Sequence, residues 1–348
     1  MKTEQTLKTM LMVLGTLLVF NGANAQQVDA NTDQNIEKQT RAFLKILNSS
    51  GGKPLETYSP KDARAVLSGL QASVKVDLSG IAITEKKIQQ DGMTISLHIV
   101  KPAGVKKVLP VFMYFHGGGW ILGDFPTHQR LVRDLVVNSG AAAVFVNYTP
   151  SPEAQFPVAI NQAYAATKWV AAHGTEIGVN GKKLAVAGNS VGGNMAAVVS
   201  LMAKDKNGPD IKLQVLFWPV TDANMETASY NQYAEGRFLT KGLMNWFWNS
   251  YIPEPGKRNN VYASPLQAPI ERLKGLPKAI VEVAENDVLR DEGETYARKM
   301  NEAGVPVSLM RYQGMIHDFG LLNPLAKVPE VQSGILQAAG ELHKALFN

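Results

Sequence analysis

The chain has 348 residues, 45% of them hydrophobic and 19% charged, with 30 Gly and 18 Pro. This is the composition of a globular protein, long enough for one large domain with an accessory segment or for two ordinary domains, and it excludes a disordered, collagenous or coiled-coil chain. Cysteine is absent, which rules out a disulfide framework, a thiol nucleophile and thiolate-held metal, and the formal charge of +5 is scattered in pairs such as Lys86-Lys87 and Lys182-Lys183 rather than gathered in a basic block, so no nucleic-acid partner is expected.

The first 25 residues have the organisation of an export signal: Lys2 and Lys8, an apolar run at 10–20, and Ala23-Asn24-Ala25 before the polar Gln26-Gln27. The run is too short to cross a bilayer as a helix. Cleavage after Ala25 and an exported mature chain, periplasmic or secreted and without a stable membrane anchor, are therefore expected; an uncleaved anchor is the alternative. Residues 26–75 read as a polar-rich helical segment broken by a loop at 48–60, a candidate lid. Residues 81–88 and 93–100 alternate apolar with polar around Asp91-Gly92, the pattern of a hairpin. Dense apolar runs follow at 109–115, 141–148, 183–188, 213–218, 279–284 and 305–311. Runs of this kind suit strands covered on both faces of a parallel sheet. Helical patterns at 158–172, 191–204, 292–303 and 331–346 alternate with or follow them. The alternation predicts an α/β fold with a mixed, mostly parallel sheet flanked by helices. The stretch 222–260 breaks it, carries Trp246-Phe247-Trp248, and reads as an insertion over one end of the sheet.

Gly188-Asn189-Ser190-Val191-Gly192 is a G-x-S-x-G sequence between an apolar run and a helix rich in Gly and Ala. A nucleophilic serine needs this setting: a sharp turn lifts the hydroxyl off the sheet, and a helix start beneath it favours developing negative charge. The plainer reading is a helix start that uses small residues to pack closely. His116-Gly117-Gly118-Gly119 follows the run at 109–115, and its glycines let backbone N–H groups crowd an incoming oxygen, as an oxyanion hole requires. Gly117, Gly118 and Val191 are the expected oxyanion donors, with His116 bracing the loop. Of six histidines, His317 alone follows a strand pattern through a loop, where open α/β sheets carry function, and is the expected general base. The orienting acid should follow the preceding strand. Asp287 lies in that loop, Glu285 is the next choice, and Asp291 with Glu294 has the spacing of a capping box on the following helix.

These motifs together resemble the hormone-sensitive-lipase-like esterase branch of the α/β-hydrolases, over residues 109 to 317. The H-G-G-G loop continues as Trp120-Ile121-Leu122-Gly123-Asp124, and a Tyr–Pro stretch runs from Tyr148 to Pro157. The nucleophile segment Gly188-Asn189-Ser190-Val191-Gly192-Gly193 resembles G-D-S-A-G-G, and Asp287-Val288-Leu289-Arg290-Asp291-Glu292-Gly293 resembles D-P-L-R-D-E-G. His317-Asp318-Phe319 matches H-x-F. Asn189 and Val288 replace the branch's usual Asp and Pro, departures that bear on subfamily and pH optimum more than on the reaction. The resemblance implies an α/β-hydrolase fold with a helical cap from residues 26–79 and 222–260. It also implies a serine carboxylic-ester hydrolase with Ser190 as nucleophile, His317 as base and Asp287 as its orienter. Neither a metal nor an organic cofactor is implied, the partner being a small ester, and a homo-oligomer is compatible with it. Trp120, Phe238, Trp246 and Phe319 are pocket candidates, each equally readable as core or cap packing. A peptidase or acyltransferase on the same fold, or a ligand-binding protein on a hydrolase scaffold, are the competing readings.

Overall fold

The computed structural model describes residues 28–348, so the expected export signal and its cleavage site lie outside the described residues. Among the described residues two helices come first, α1 (Lys38–Ser49) and α2 (Pro60–Ala72). Glu37 accepts hydrogen bonds from the Gln39 and Thr40 N–H groups, and Ser59 from that of Asp62, satisfying first-turn donors that have no partner within the helix. Few of their residues are buried, Leu44 in α1 and Ala63, Leu67 and Gln71 in α2 among them. They are held by what they touch rather than by a core of their own.

Strands β1 (Ile81–Gln90) and β2 (Met93–Pro102) form the hairpin, with Gln90 opposite Met93. Asp91 and Gly92 turn the chain at φ 52° and 76°. Two successive positive φ angles give the primed turn that matches strand twist. The alternating elements follow: β3 (Leu109–Phe115), α3 (Phe125–Ser139), β4 (Ala142–Asn147), α4 (Val158–His173), β5 (Val179–Asn189), α5 (Val191–Asp205) and β6 (Ile211–Phe217). Three short helices, α6 (Ala228–Gln232), α7 (Lys241–Tyr251) and α8 (Ile270–Leu273), precede β7 (Lys278–Asn286), α9 (Arg290–Glu302), β8 (Val307–Ile316) and α10 (Pro329–Phe347).

The eight strands form one sheet in the order β1-β2-β4-β3-β5-β6-β7-β8. β2 is antiparallel to β1 and β4, and the remaining pairs are parallel. Side chains alternate across each strand, which divides the core in two. Phe112 and Tyr114 of β3 pack with Leu131 and Leu135 of α3 and Leu342 of α10 on one face. Val111, Met113 and Phe115 pack with Ile160 of α4, Val198 of α5 and Tyr296 of α9 on the other.

The apolar runs locate the strands but not all of their ends. β5 begins at Val179, because Leu109 and Pro110 of β3 pair with Val179 and Asn180 ahead of the apolar run. β8 continues to Ile316, through Gln313-Gly314. It is an edge strand, and Gln313-Gly314 interrupts the apolar pattern ahead of the buried Met315 and Ile316, so its end reads as loop.

The N-terminal segment and the insertion between β6 and β7 are tied together. Arg237 Nη2 and Asp33 Oδ2 form a buried ion pair at 2.7 Å, and Arg237 also donates to the Val28 carbonyl. Asn48 Nδ2 donates to the Gly236 carbonyl at 3.1 Å. Gln71 of α2 donates to the Thr127 and Leu321 carbonyls, and the Glu37 N–H to the Gly314 carbonyl. Among the described residues, no helix is long and apolar enough to cross a membrane.

Candidate active site

β5 delivers Ser190 at a sharp turn with φ 54° and ψ −122°, and α5 starts at the next residue. A non-glycine residue holds positive φ only where its surroundings enforce it. Here the Ser190 N–H donates to the Phe217 carbonyl at 2.9 Å and its own carbonyl accepts from Asn194 and Val220. The turn packs so closely on β3 that a Cβ at Gly192 would overlap the Phe115 carbonyl, and one at Gly188 would overlap Gly192 itself. The two glycines of the motif are thus required by contact.

β8 and β7 deliver the other two groups. His317, directly after β8, places Nε2 3.0 Å from Ser190 Oγ and Nδ1 2.7 Å from Asp287 Oδ2. Asp287, directly after β7, is held by the Leu289 N–H on its other oxygen at 3.0 Å. All three side chains are buried. Burial disfavours the charged imidazole, but the carboxylates of Asp287 and Asp318 and the hydrogen bond to Asp287 outweigh it, so the His317 pKa lies above the ordinary histidine value. The array can take a proton from a serine hydroxyl and stabilise the resulting imidazolium.

Asp291 does not cap its own helix, whose N-cap is Leu289 without a side-chain bond. Its Oδ2 instead accepts the Ser229 N–H of α6 at 2.8 Å, and its Oδ1 accepts from Arg290. Glu285 accepts the Gly314 N–H at 2.7 Å, linking the ends of β7 and β8.

The glycine loop requires a correction. The Gly117 N–H donates to Asn189 Oδ1 at 3.0 Å and approaches His128 Nε2 at 3.2 Å, so it is committed to the protein interior and is no oxyanion donor. Gly118 and Gly119, one and two residues on, line the cavity together with Ser190 and His317. His116 lies between Tyr148, 4.0 Å away and nearly parallel, and Phe145. Burial lowers its pKa to about 4, so the ring is neutral and supports the loop.

The cavity above Ser190 has a volume of about 850 Å³. α2 contributes Leu67 and Leu70, and the insertion contributes Phe238, Leu243 and Phe247. Of the four aromatic candidates, only Phe238 is among its lining residues. Trp120 is buried and stacks on Tyr251 at 4.0 Å. Phe319 is buried against Trp218 and Tyr312, and Trp246 is half-buried against the core. Phe247, between the two tryptophans and not among the four candidates, is the aromatic beside Gly119: a Cβ there would run into its ring.

A model of the alpha/beta hydrolase fold family matches residues 112–321. The crystal structure of a thermostable esterase from Pseudomonas putida ECU1011 superposes with a TM-score of 0.90 at 65% identity, covering 90% of this chain and 98% of that one. Carboxylesterase NlhH of Mycobacterium tuberculosis is 34% identical over 82% of this chain and 89% of its own length. Ethyl acetate hydrolase of Pseudomonas putida is 29% identical over 88% and 98%. With this sheet order, this serine turn and these relatives, the chain belongs to the α/β-hydrolase family, in its hormone-sensitive-lipase-like branch of esterases.

Proposed function

We propose that this carboxylesterase hydrolyses small, short-acyl esters with Ser190 as nucleophile. The observation that carries the reading is the chain of contacts Ser190–His317–Asp287, at 3.0 Å and 2.7 Å, opening into an apolar cavity. His317 Nε2 takes the Ser190 proton as Oγ attacks the ester carbonyl. Asp287 holds the other ring nitrogen and stabilises the imidazolium. The Gly118, Gly119 and Val191 N–H groups receive the tetrahedral oxyanion, and His317 returns the proton to the departing alcohol. Water, deprotonated by His317, then attacks the acyl-serine; the bond from Oγ to the acyl carbon breaks, His317 returns the proton to Ser190 and the acid leaves. The cavity has finite depth, so each added methylene helps by about 0.8 kcal/mol only until the space is filled. We further propose that the chain is exported with cleavage after Ala25, which N-terminal sequencing of the mature protein tests.

The test of the activity is direct. An organophosphate should add a single adduct, on the Ser190 peptide, and Ser190→Ala should lower turnover by about 10⁴–10⁶ with the fold retained. kcat/KM for p-nitrophenyl esters should peak at about two to six acyl carbons and fall steeply by about twelve. An adduct on another serine overturns the assignment, values rising through the long chains overturn the short-acyl reading, and faster cleavage of a peptide p-nitroanilide favours a peptidase.

A further inference from the structure

Asn189, the last residue of β5, is fully buried beside the serine, and its amide is engaged at both ends. Oδ1 accepts the Gly117 N–H at 3.0 Å and the Tyr114 O–H at 2.9 Å. Nδ2 donates to Asp318 Oδ1 at 2.9 Å. The same Asp318 oxygen accepts from Trp218 Nε1 at 2.6 Å, while its other oxygen lies 3.9 Å from His317 Nε2. Asp318 sits at φ 58°, a backbone conformation that needs such fixing. A second carboxylate therefore stands on the Ser190 side of the imidazole, opposite Asp287.

We propose that Asn189 is a positioning residue whose acceptor oxygen pins the glycine loop through Gly117 and whose donor nitrogen holds Asp318 beside the His317–Ser190 pair. An ionised carboxylate at position 189 could accept from Gly117 and Tyr114 but would oppose Asp318. An apolar residue could do neither. The other titratable and charged groups around the cluster are Asp287 across the imidazole, Tyr114 itself, the buried His116 and His128, Asp124 near His116, and Arg130 beyond Tyr114. Burial lowers the pKa of both histidines, so they supply no charge of their own at neutral pH. The inference rests on the serine-esterase reading and specifies what sets the geometry of that site.

The experiment is the pH dependence of kcat/KM for p-nitrophenyl butyrate, from about pH 5 to about pH 10, in four proteins. The parent should rise to a plateau. In Asn189→Asp the two carboxyls share one proton at neutral pH, because like charges this close cannot both ionise. That variant should keep activity near neutrality and gain an alkaline fall that the parent lacks. Asn189→Ala should lose about 10- to 100-fold across the plateau, as misplacement of the reacting groups does, with no new alkaline fall. The exchange Asn189→Asp with Asp318→Asn restores one amide and one carboxylate. It should fold, remove the alkaline fall and shift the acid limb toward the ordinary histidine value, since the carboxylate has left the Nε2 side. If Asn189→Asp fails to fold while the exchange folds, the same repulsion has been seen as instability. An Asn189→Asp profile identical to the parent, an Asn189→Ala within about twofold of it, or an exchange protein that does not fold or keeps the alkaline fall overturns the proposal. Absence of organophosphate label on Ser190 in the parent would instead overturn the esterase mechanism, independently of these profiles.

Discussion

His317 meets two carboxylates and one hydroxyl, and this sets the direction of its titration. The reaction needs the neutral imidazole, and the carboxylates favour the charged one, so activity should be lost on acidification through a value above the ordinary pKa of about 6.5. A kcat/KM profile whose acid limb falls below that value would contradict the electrostatics described. Within this array Asp287→Asn should cost about 10⁴ in turnover through the wrong tautomer. Asp291→Ala should cost stability of about 1 kcal/mol by loosening the start of α6, with kcat retained. Kinetics and thermal melts on the two variants separate these roles. The meeting of Ser190, His317 and Asp287 was legible because each is tied to the end of a strand pattern. The choice among the three glycines was not. Nothing local orders them, and the group that claims the Gly117 N–H is a side chain 72 positions away. The capping spacing of Asp291 misled for the same reason: the amide it caps belongs to Ser229, 62 positions distant.

At the scale of elements, β7 carries an unexpected group. Glu282 is buried among the apolar residues at the centre of β7 and neither of its carboxyl oxygens has a hydrogen-bond partner. Gly334 of α10 lies over it, where a Cβ would approach its Oε2 at 2.9 Å. Burial holds its pKa well above the ordinary range. In the unfolded chain the same group ionises near about pH 4.3. A raised folded value means that the associated stability is complete below the unfolded pKa and is lost as pH rises toward the folded one. Glu282→Gln, neutral at every pH and similar in shape, should therefore gain Tm over the parent as pH is raised from about 5 to about 8. Melting curves showing a constant difference across that interval would refute the account. The strand's existence was plain from its apolar run, whereas the start of β5 and the end of β8 were not, because Asn180-Gly181 and Gln313-Gly314 interrupt the apolar pattern inside the strands.

At the scale of the whole molecule, the cavity depends on two distant segments meeting over the strand ends. The buried Asp33–Arg237 pair is one tie between them, with Tyr233 packed 5.1 Å from the Arg237 guanidinium. Removing one partner of a buried pair costs about 3–5 kcal/mol because the other charge is stranded, while replacing both with apolar groups is often neutral. Arg237→Met should loosen the N-terminal segment, exposing residues 28–79 to limited proteolysis and flattening the decline of kcat/KM with acyl length. Arg237→Met combined with Asp33→Leu should restore protection. Equal protease sensitivity in parent and single variant would show that the remaining contacts hold the segment unaided. The separation of these partners also bears on how the molecule is made. Asp33 leaves the ribosome 204 residues before Arg237, so α1 and α2 wait, with their inner faces unmatched, until the sheet and the insertion have emerged. Contacts of such long range form late. The Ser190 turn needs β6 and the residues after it as well, since the Phe217 carbonyl and the Val220 N–H hold it, and the chamber around it is finished later still, so a nascent chain holds this serine in an unroofed site until the insertion has emerged.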